Sequence, residues 1–530
     1  MRIADFIRKQ GVARRGKLWR GALALAVLFV VASLGVMRFN AASPRTWSPG
    51  NVPIAFWAWR SRAPRQEDVE RAMAQANART LFLRAGQIDY RDGQVRRMRA
   101  AAGRFSTGIE IHLVYNATPV VLAAFERIDI AALVDEIAAA YADDAQRAAG
   151  DAARVAGVQL DFDVPTRLLT RYAMLLSSLR QRLPAGSQLS ITGLPTWMAG
   201  SDLNRTLAAV DFWIPQLYGE QIPSHIDETL AIASPQKVAR DVRRAASLNR
   251  PFYAGLAAYG YAIHYASNGA RLAVLGDLDP AIVVARRELQ LIERRAFDSP
   301  RMGESPASEW RYVYRATEDV QLDHLLMRAG EWLMLDVPTA EALAACGRAV
   351  REQAGEHLLG VCLFRLPESD DVTALTLAEI ACALNGEAPG NSFIVEATNA
   401  EMTAGGQRIR LKLANNGAAR ARLGDGAASL LVRVPAGSLR QLDLHGFDSA
   451  ALLCEVAGDS PPGAITCSLR RASAAKLELT AWLPSSRASA LLTLAAPLPT
   501  AIDVIFTLTT DDGREISERR TIPVQPERKS

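Results

Sequence analysis

The strongest constraint on the fold of this chain is a repeated alternation between short apolar stretches and longer stretches with helical spacing. Eight apolar stretches rich in strand-forming residues lie between residues 53 and 366. Strands that alternate with helices favour a parallel sheet covered by helices, because parallel strands need a long crossover between them. Eight such units predict an α/β fold, a (β/α)8 TIM-like barrel over residues 52–387. The stretches are Pro53–Trp59, Thr80–Ala85, Gly108–Asn116, Gly157–Asp163, Gln188–Leu194, Asp211–Tyr218, Pro251–Ala257 and Gly360–Leu366.

The barrel is predicted to carry one long insertion, residues 265–350, between its seventh and eighth strands. Helical spacing within the insertion predicts a helix over Pro280–Arg295. Two further apolar stretches, Trp310–Tyr314 and Trp332–Leu335, predict strands. Turn-forming residues predict linkers on both sides of the barrel, at residues 43–51 and 388–392.

The last part of the chain, residues 393–530, has a different pattern. Polar and apolar residues alternate with a period of two, and groups of Asn, Asp, Pro and Gly separate the alternating stretches. This pattern predicts an all-β, immunoglobulin-like sandwich. Cys454 and Cys467 flank a Pro-Pro-Gly turn. In an oxidising compartment they are predicted to form a disulfide.

The amino-terminal segment predicts a membrane anchor. Residues 21–37 contain no charged residue, and as a helix they would extend about 25 Å, the short end of a membrane crossing. A basic flank, residues 1–20, comes before them and favours a cytosolic amino terminus. We therefore predict a single-pass protein of the bacterial inner membrane with most of its chain in the periplasm. A cleavable signal peptide is the alternative.

The net charge of +5 and the pI near 9.0 belong to the amino-terminal flank. Residues 1–20 hold seven basic residues and one acid, so the remaining 54 basic and 55 acidic residues nearly cancel. A neutral body predicts no nucleic-acid partner. The chain also lacks Walker A, Gly-x-Gly-x-x-Gly, Gly-x-Ser-x-Gly and His-Glu-x-x-His motifs, and its six histidines show no ligand spacing. We predict no metal or other cofactor.

The sharpest candidate for chemistry is the fourth stretch, Gly157–Asp163. Gln159, Asp161 and Asp163 share one face of this strand, and the alternate apolar residues take the other face. Barrels of this type have their active sites at the carboxyl ends of the strands. Two carboxylates close together raise the pKa of one of them, as a general acid requires. The alternative is that these acids form ion pairs with inward-facing arginines, Arg84 or Arg365.

Other residues near the predicted mouth of the barrel are candidates for binding a substrate. Gln216 and Tyr218 share a face of the sixth stretch, with Glu220 just beyond. Aromatic rings suit the C–H faces of sugars, and several aromatic residues come at or after strand ends. The candidates for substrate binding are Gln159, Gln216, Tyr218, Glu220, Trp197, Trp59 and Tyr259.

Two of these stretches resemble motifs of the family-eighteen chitinases. Gly157–Asp163 is similar to their signature Asp-Gly-x-Asp-x-Asp-x-Glu, with Gln159 in place of an aspartate, Asp161 at the last aspartate and Asp163 at the glutamate. Gln216-Leu217-Tyr218 is similar to their Met-x-Tyr. The resemblance implies that Asp163 protonates the glycosidic oxygen, while the acetamido group of the substrate serves as nucleophile. Asp163 is one methylene shorter than glutamate, and Gln159 cannot ionise.

A second resemblance covers residues 50–385. Six segments, among them GVQLDFDVPTRLLTRYAMLLSSLRQRLP and DFWIPQLYGE, resemble in order and spacing a bacterial family catalogued as domain of unknown function 3142. This implies a glycosidase-like barrel. Two hypotheses follow. The protein binds and hydrolyses an envelope or extracellular polysaccharide, with Asp163 as acid and Asp161 tuning its pKa. Alternatively, it is a non-catalytic glycan-binding or envelope assembly scaffold, and whether it is an enzyme stays open.

Overall fold

The computed structural model describes residues 47–526 except 61, 101–102, 149–152, 220, 297–309, 391, 404–405, 455–464, 485, 496–498 and 511–512. The predicted anchor, residues 21–37, and its basic flank lie outside the described residues. So do residues 43–46 of the first linker. Among the residues that are described, no helix is long and apolar enough to cross a membrane.

The first part of the barrel consists of seven parallel strands and one hairpin strand. The hairpin strand, β3, turns back along β2 in antiparallel register. The strands are β1 (Ile54–Ala58), β2 (Ala78–Arg91), β3 (Gln94–Arg99), β4 (Glu110–Ala117), β5 (Arg154–Asp161), β6 (Gln188–Gly193), β7 (Phe212–Pro215) and β8 (Phe252–Ala257). The helices between them are α1 (Gln66–Ala76), α2 (Pro119–Ala124), α3 (Ile130–Ala148), α4 (Leu169–Arg182), α5 (Leu203–Leu207) and α6 (Pro235–Ser247).

Strand β5 shows why these sequences form a buried parallel sheet. Its residues from Ala156 to Leu160 are buried, because helices cover one face and the barrel interior lies on the other. Gly157 is required for the close approach of β6, since a Cβ atom there would overlap the carbonyl oxygen of Gln188. The glycine of the motif therefore serves packing between neighbouring strands.

The insertion after β8 forms a separate five-stranded antiparallel sheet in the order β10-β9-β15-β12-β11, and β13 and β14 form a small hairpin. It extends from residue 261 to residue 337, whereas residues 265–350 were predicted. Its elements are β9 (Tyr261–Tyr265), β10 (Arg271–Leu275), α7 (Pro280–Val284), β11 (Leu289–Ala296), β12 (Trp310–Ala316), β13 (Val320–Leu322), β14 (Leu325–Met327) and β15 (Trp332–Val337).

The predicted helix over Pro280–Arg295 is wrong for most of its length. The helix ends at Val284, and Leu289–Ala296 is a strand at the edge of the insertion sheet. Its backbone pairs with β12 from Leu289 to Ala296. Pairing of this kind outweighs the weak helical preference of such a sequence, because helix propensity is small per residue.

The chain then returns to the barrel and closes it. The remaining barrel elements are α8 (Ala340–Gln353), β16 (Leu358–Phe364) and α9 (Leu377–Asn385). Strand β16 pairs with β8 and with β1, and β1 also pairs with β2, so eight parallel strands form a closed barrel. The TIM-like barrel is thus confirmed. The carboxyl ends of its strands meet on one rim, called the mouth below. Single 3₁₀ turns lie at Thr166–Leu168, Pro195–Ala199, Gly355–His357 and Leu469–Arg471.

Beyond the barrel, the chain forms a second domain built from strands. Strand β26 pairs with β17 on one side and with β25 on the other, and alternate residues of the strands face a common apolar core. The strands are β17 (Phe393–Thr403), β18 (Gly406–Asn415), β19 (Ala428–Arg433), β20 (Leu439–His445), β21 (Ser449–Cys454), β22 (Ile465–Thr466), β23 (Ala474–Leu479), β24 (Arg487–Leu494), β25 (Ala501–Thr509) and β26 (Glu515–Pro526). Cys454 and Cys467 are joined by a disulfide, and Cys346, Cys362 and Cys382 are free.

The β-rich domain is fixed to the barrel through a partly buried ion pair. Arg420 donates two hydrogen bonds to Glu379, at 2.6 and 2.8 Å. Glu379 also accepts from the backbone N–H of Thr376, in a capping box at the start of α9. Bidentate arginine–carboxylate pairs fix orientation as well as distance. The two domains accordingly belong to one compact unit.

A second buried ion pair joins the insertion to the loop between β7 and α6. Arg311 and Asp336 face each other on β12 and β15, and their side chains are fully buried. Arg311 donates to both carboxylate oxygens of Asp336 at 2.7 Å. It also donates to the carbonyl oxygens of Glu228 and Leu230 at 2.8 Å. One guanidinium therefore fixes both Asp336 and residues 228 and 230 of the loop that follows β7.

Replacing one partner of this pair is expected to destabilise the protein more than replacing both. Arg311→Met leaves a buried carboxylate without its partner, which costs about 3–5 kcal/mol. The double variant Arg311→Met/Asp336→Leu removes both buried charges and should recover part of that loss, although the carbonyl oxygens of Glu228 and Leu230 and the hydroxyl group of Tyr261 lose their hydrogen bonds to the pair. The midpoint of thermal unfolding measures both. A double variant that is less stable than Arg311→Met would contradict the expectation.

Candidate active site

The floor of the mouth is a hydrogen-bonded set of buried side chains. Gln159 on β5 is 0 % exposed and accepts a hydrogen bond from Trp57 Nε1 at 2.7 Å. Its amide nitrogen lies 3.4 Å from Ser190 Oγ on β6. Gln159, a predicted substrate-binding residue, therefore lies beneath the mouth with its amide engaged by the protein. Its place on β5 is too deep for contact with a ligand.

Asp161 lies one step nearer the rim, where β5 ends. Its Oδ1 accepts a hydrogen bond from Thr192 Oγ1 at 2.6 Å and one from Gln216 Nε2 at 3.3 Å. Thr192 lies on β6 and Gln216 directly follows β7, the two strands that come after β5 in the barrel order. The two strands thus fix a half-buried carboxyl group in one orientation. Gln216 therefore lies at the mouth, where the sequence pattern predicts it.

Asp163 lies two residues beyond Asp161 and is exposed. Its neighbours Phe162 and Val164 are fully buried, and Phe162 packs parallel to the ring of Tyr172 at 6.1 Å. The carbonyl oxygen of Val164 accepts a hydrogen bond from Trp197 Nε1 at 2.9 Å. The backbone around Asp163 is therefore fixed on both sides. Among the described residues, none forms a hydrogen bond or ion pair with its carboxyl group, which is open to an incoming ligand.

The two carboxyl groups hold a proton at higher pH than free aspartates do. Burial, and next the charge of Asp163, raise the pKa of Asp161 to about 7, although the hydrogen bond from Thr192 and the charge of Arg84 oppose the shift. Although its side chain is exposed in part, desolvation by the surrounding protein also raises the pKa of Asp163. Because the groups interact, the proton belongs to the pair rather than to either residue. The pair therefore keeps one proton up to about neutral pH.

The sequence also allowed ion pairs between these acids and Arg84 or Arg365, but both arginines have other partners in the structure. Arg365 donates to Asp371, with Nε at 2.9 Å from the carboxylate. Arg84 donates through Nε to Asn116 at 3.4 Å. In the described part of the chain, neither arginine is within ion-pair distance of Asp161 or Asp163. The acids are therefore available for chemistry.

Four half-buried aromatic residues, called the aromatic wall below, line one side of the mouth. Tyr218 packs nearly parallel to Phe364 at 5.8 Å, and Tyr259 meets Phe364 edge-on at 5.2 Å. Trp59 lies 5.8 Å from the same ring. Burial raises the pKa of Tyr218 well above its usual value, so its hydroxyl group stays protonated. The predicted residues Trp59, Tyr218 and Tyr259 thus come together around Phe364, which the sequence reasoning missed.

Trp197 is not at the mouth. It is 0 % exposed, on the 3₁₀ turn after β6, and packs edge-on against Tyr172 at 6.0 Å. The prediction that Trp197 binds a substrate is therefore wrong, because the turn directs its ring behind the strands. Glu220 lies outside the described residues, and its role stays a prediction.

Two contributors to the mouth, Thr192 and Phe364, escaped the sequence reasoning although a signal was present. Thr192 shares a face of β6 with Ser190, and Phe364 shares a face of β16 with Cys362. Strand alternation, applied to each stretch as it was to β5, would have found both. Arg84 was considered only as a partner for the acids. In the described ranges, no group of three or more His, Cys, Asp or Glu side chains is arranged to hold a metal ion.

Several solved structures are similar to this chain at low sequence identity. A chitinase from Chromobacterium violaceum is 16% identical with a TM-score of 0.43, over 63% of this chain and 99% of its own. The spore cortex-lytic enzyme SleL from Bacillus cereus is 14% identical with a TM-score of 0.41, over 64% and 74%. Chitinase ChiW from Paenibacillus sp. is 11% identical with a TM-score of 0.46, over 89% and 43%.

Sequence comparison points to one family. No curated protein matches the chain in sequence. The middle of the chain does match a family model, and the matched part contains Asp161, Asp163, Gln216 and Tyr218. Residues 121–295 match the family described as Domain of unknown function (DUF3142), which is the family that the sequence segments resemble.

Proposed function

We propose that this protein binds and hydrolyses an envelope or extracellular polysaccharide at the mouth of its barrel. The observation that carries the proposal is the pair Asp161 and Asp163, which keeps a proton to about neutral pH and forms no ion pair with another described residue. A carboxylic acid that is protonated at neutral pH is what cleavage of a glycosidic bond requires. The aromatic wall offers ring faces beside it.

The roles of the two acids follow from their surroundings. Asp163 is exposed and without protein hydrogen bonds, so it can reach the glycosidic oxygen and give it the proton of the pair. The bond between the anomeric carbon and that oxygen then breaks, and a water molecule adds to the anomeric carbon. The proton released by the water returns to the carboxylates. Asp161, held by Thr192 and Gln216, shares the proton of the pair with Asp163, and the charge of Asp163 helps to raise the pKa of Asp161 to about 7.

The second candidate is a glycan-binding or assembly scaffold without catalysis. It is favoured by Asp163, which is one methylene shorter than the glutamate of the chitinase signature, and by Gln159, which cannot ionise. Both candidates use the same mouth and the same aromatic wall. They differ only in whether a bound glycan is cleaved.

We also propose that residues 21–37 anchor the protein in the inner membrane with residues beyond them in the periplasm. The uncharged run after a basic flank supports this orientation. The disulfide between Cys454 and Cys467 fits an oxidising compartment.

Asp163→Asn is expected to lower the rate of glycan hydrolysis by roughly 10²–10⁴-fold, because an amide cannot donate the proton. Binding of the intact glycan should remain. The rate of hydrolysis is measured as the release of reducing ends from a panel of envelope and extracellular polysaccharides. Binding is measured as retention of the protein on the same polymers. The matched control is Asp92→Asn at the turn between β2 and β3, where the backbone φ is 52° and asparagine is tolerated. A wild-type protein that retains a glycan but never cleaves it would favour the scaffold instead.

Activity is expected to fall as pH rises through about 7, because the carboxyl pair then loses its remaining proton. Asp161→Asn removes the carboxyl group whose pKa is about 7, and should therefore move this decline in activity to lower pH. The contribution of Asp161 to folding stability changes with pH in the opposite direction to that of an ordinary salt-bridged aspartate. Because the folded-state pKa of Asp161 is raised, its contribution is full at low pH and is lost as pH rises to about 7. The unfolding midpoint of Asp161→Asn relative to wild type should therefore increase between pH 4 and pH 8.

The anchor proposal is tested on the full chain expressed in a bacterial host. An uncleaved anchor should keep the protein in the membrane pellet after alkaline carbonate extraction, with its original amino terminus. Amino-terminal sequencing that finds a start near residue 43, together with release into the soluble fraction, would contradict the anchor and favour the signal peptide.

A further inference from the structure

Arg84 places a half-buried positive charge at the mouth. It lies on β2 one inward step above Phe82, which is buried in the barrel interior. The register between β2 and β4 shifts between Arg84 and Gly86, which is a bulge. Bulges occur beside active sites, where they change the direction of a side chain. The Arg84 guanidinium lies over the ring of Trp59, 5.5 Å from its centre.

Most of the hydrogen-bonding capacity of Arg84 is unused by the protein. A guanidinium has five N–H donors. Its Nε donates to Asn116 Oδ1 at 3.4 Å, a long hydrogen bond. No other described residue accepts a hydrogen bond from it. The two terminal nitrogens, which form the fork that fits a carboxylate, therefore have no partner in the described part of the protein.

The charge of Arg84 is also not neutralised by contact. No carboxylate of a described residue lies within ion-pair distance of it, and it acts on Asp161 only through space. Burial lowers the pKa of Arg84, which reflects the cost of removing an unpaired cation from water. In contrast, Arg365, Arg420 and Arg311 each have a carboxylate partner. Arg84 thus differs from the structural arginines of this fold.

We propose that Arg84 binds a carboxylate carried by the glycan, so that the polysaccharide is an acidic one. This inference rests on the proposed glycan-binding function and specifies its substrate class. Trp59 holds the guanidinium plane from one side, as arginine–aromatic stacking does elsewhere. The sugar ring lies against the aromatic wall, and its carboxylate takes the two terminal nitrogens. Either a uronic acid or the lactyl group of a peptidoglycan strand offers this carboxylate.

The test compares glycans that differ only in that carboxylate. The probes are a hyaluronan-derived hexasaccharide, which has uronic carboxylates, and a peptidoglycan glycan-strand tetrasaccharide, which has lactyl carboxylates. Each is also prepared with its carboxylates reduced to alcohols. Binding is measured by calorimetry with the full chain in detergent, in an Asp163→Asn background that leaves the probes intact. Binding is thereby separated from hydrolysis.

We expect at least one carboxylated probe to bind about tenfold or more tightly than its reduced form, the size of a charge-assisted bidentate contact. Arg84→Gln should abolish this difference and leave binding of the reduced probe unchanged. Arg84→Lys keeps the positive charge but lacks the paired N–H donors of a guanidinium, and should therefore keep only part of the preference for the carboxylated probe. The probe that shows the difference identifies which carboxylate is recognised.

Arg315→Gln is the matched control, because Arg315 also lies over an indole ring, 5.1 Å from the centre of Trp332 on the insertion. It should keep the full preference for the carboxylated probe. Unfolding midpoints of the Arg84 variants close to the parent show that the fold is kept. If neither probe shows carboxylate-dependent binding, or if Arg84→Gln retains it, the proposal is wrong. If the wild-type protein shows the carboxylate preference but cleaves neither probe, only the proposed catalysis is overturned.

Discussion

Closure of the barrel is the constraint on which the rest of this structure depends. Because β1 pairs with both β2 and β16, every inward side chain of the eight strands faces a common interior that helices cannot reach. Polar groups there must satisfy one another, since unpaired buried polar atoms are costly. Gln159 does so with Trp57 and Ser190, and Asp161 does so with Thr192 and Gln216. This internal hydrogen bonding ends at the mouth. Asp163, two residues after the end of β5, is an acid there whose carboxyl group has no hydrogen-bond partner among the described residues.

The same constraint explains which parts of the fold could be predicted. Buried parallel strands leave near-continuous apolar stretches, so all eight were recognisable from the sequence, although β2 extends to Arg91, six residues beyond the predicted stretch. Strand β11 was not, because it lies at an edge of the insertion sheet with most of its first residues exposed, and its sequence is compatible with a helix. Its conformation is decided by pairing with β12, a contact far along the chain. The sequence contains no local sign of that pairing.

Within the site, alternation predicts the direction of a side chain but not its depth. Gln159, Asp161 and Asp163 were correctly assigned to one face, yet the first is sealed beneath the mouth and the last is exposed. Trp197 shows a related failure, because residues after a strand can turn toward the mouth or behind the sheet. Arg84 is a third case in which the sequence alone misleads. An arginine and two acids on inward faces suggest an ion pair from sequence, whereas the structure keeps them apart and gives each a different environment.

The charges at the mouth act as one unit, and this links recognition to chemistry. The carboxyl pair with one proton carries a single negative charge, and Arg84 carries a single positive charge nearby. The charge of Arg84 lowers the pKa of Asp161 and so favours loss of the shared proton. A glycan carboxylate bound to Arg84 would cancel that effect and raise the pKa of the pair. Under the proposed function, an acidic substrate would in this way help to keep the carboxyl pair protonated, whereas a neutral glycan in the same mouth would leave the opposing charge of Arg84 in place.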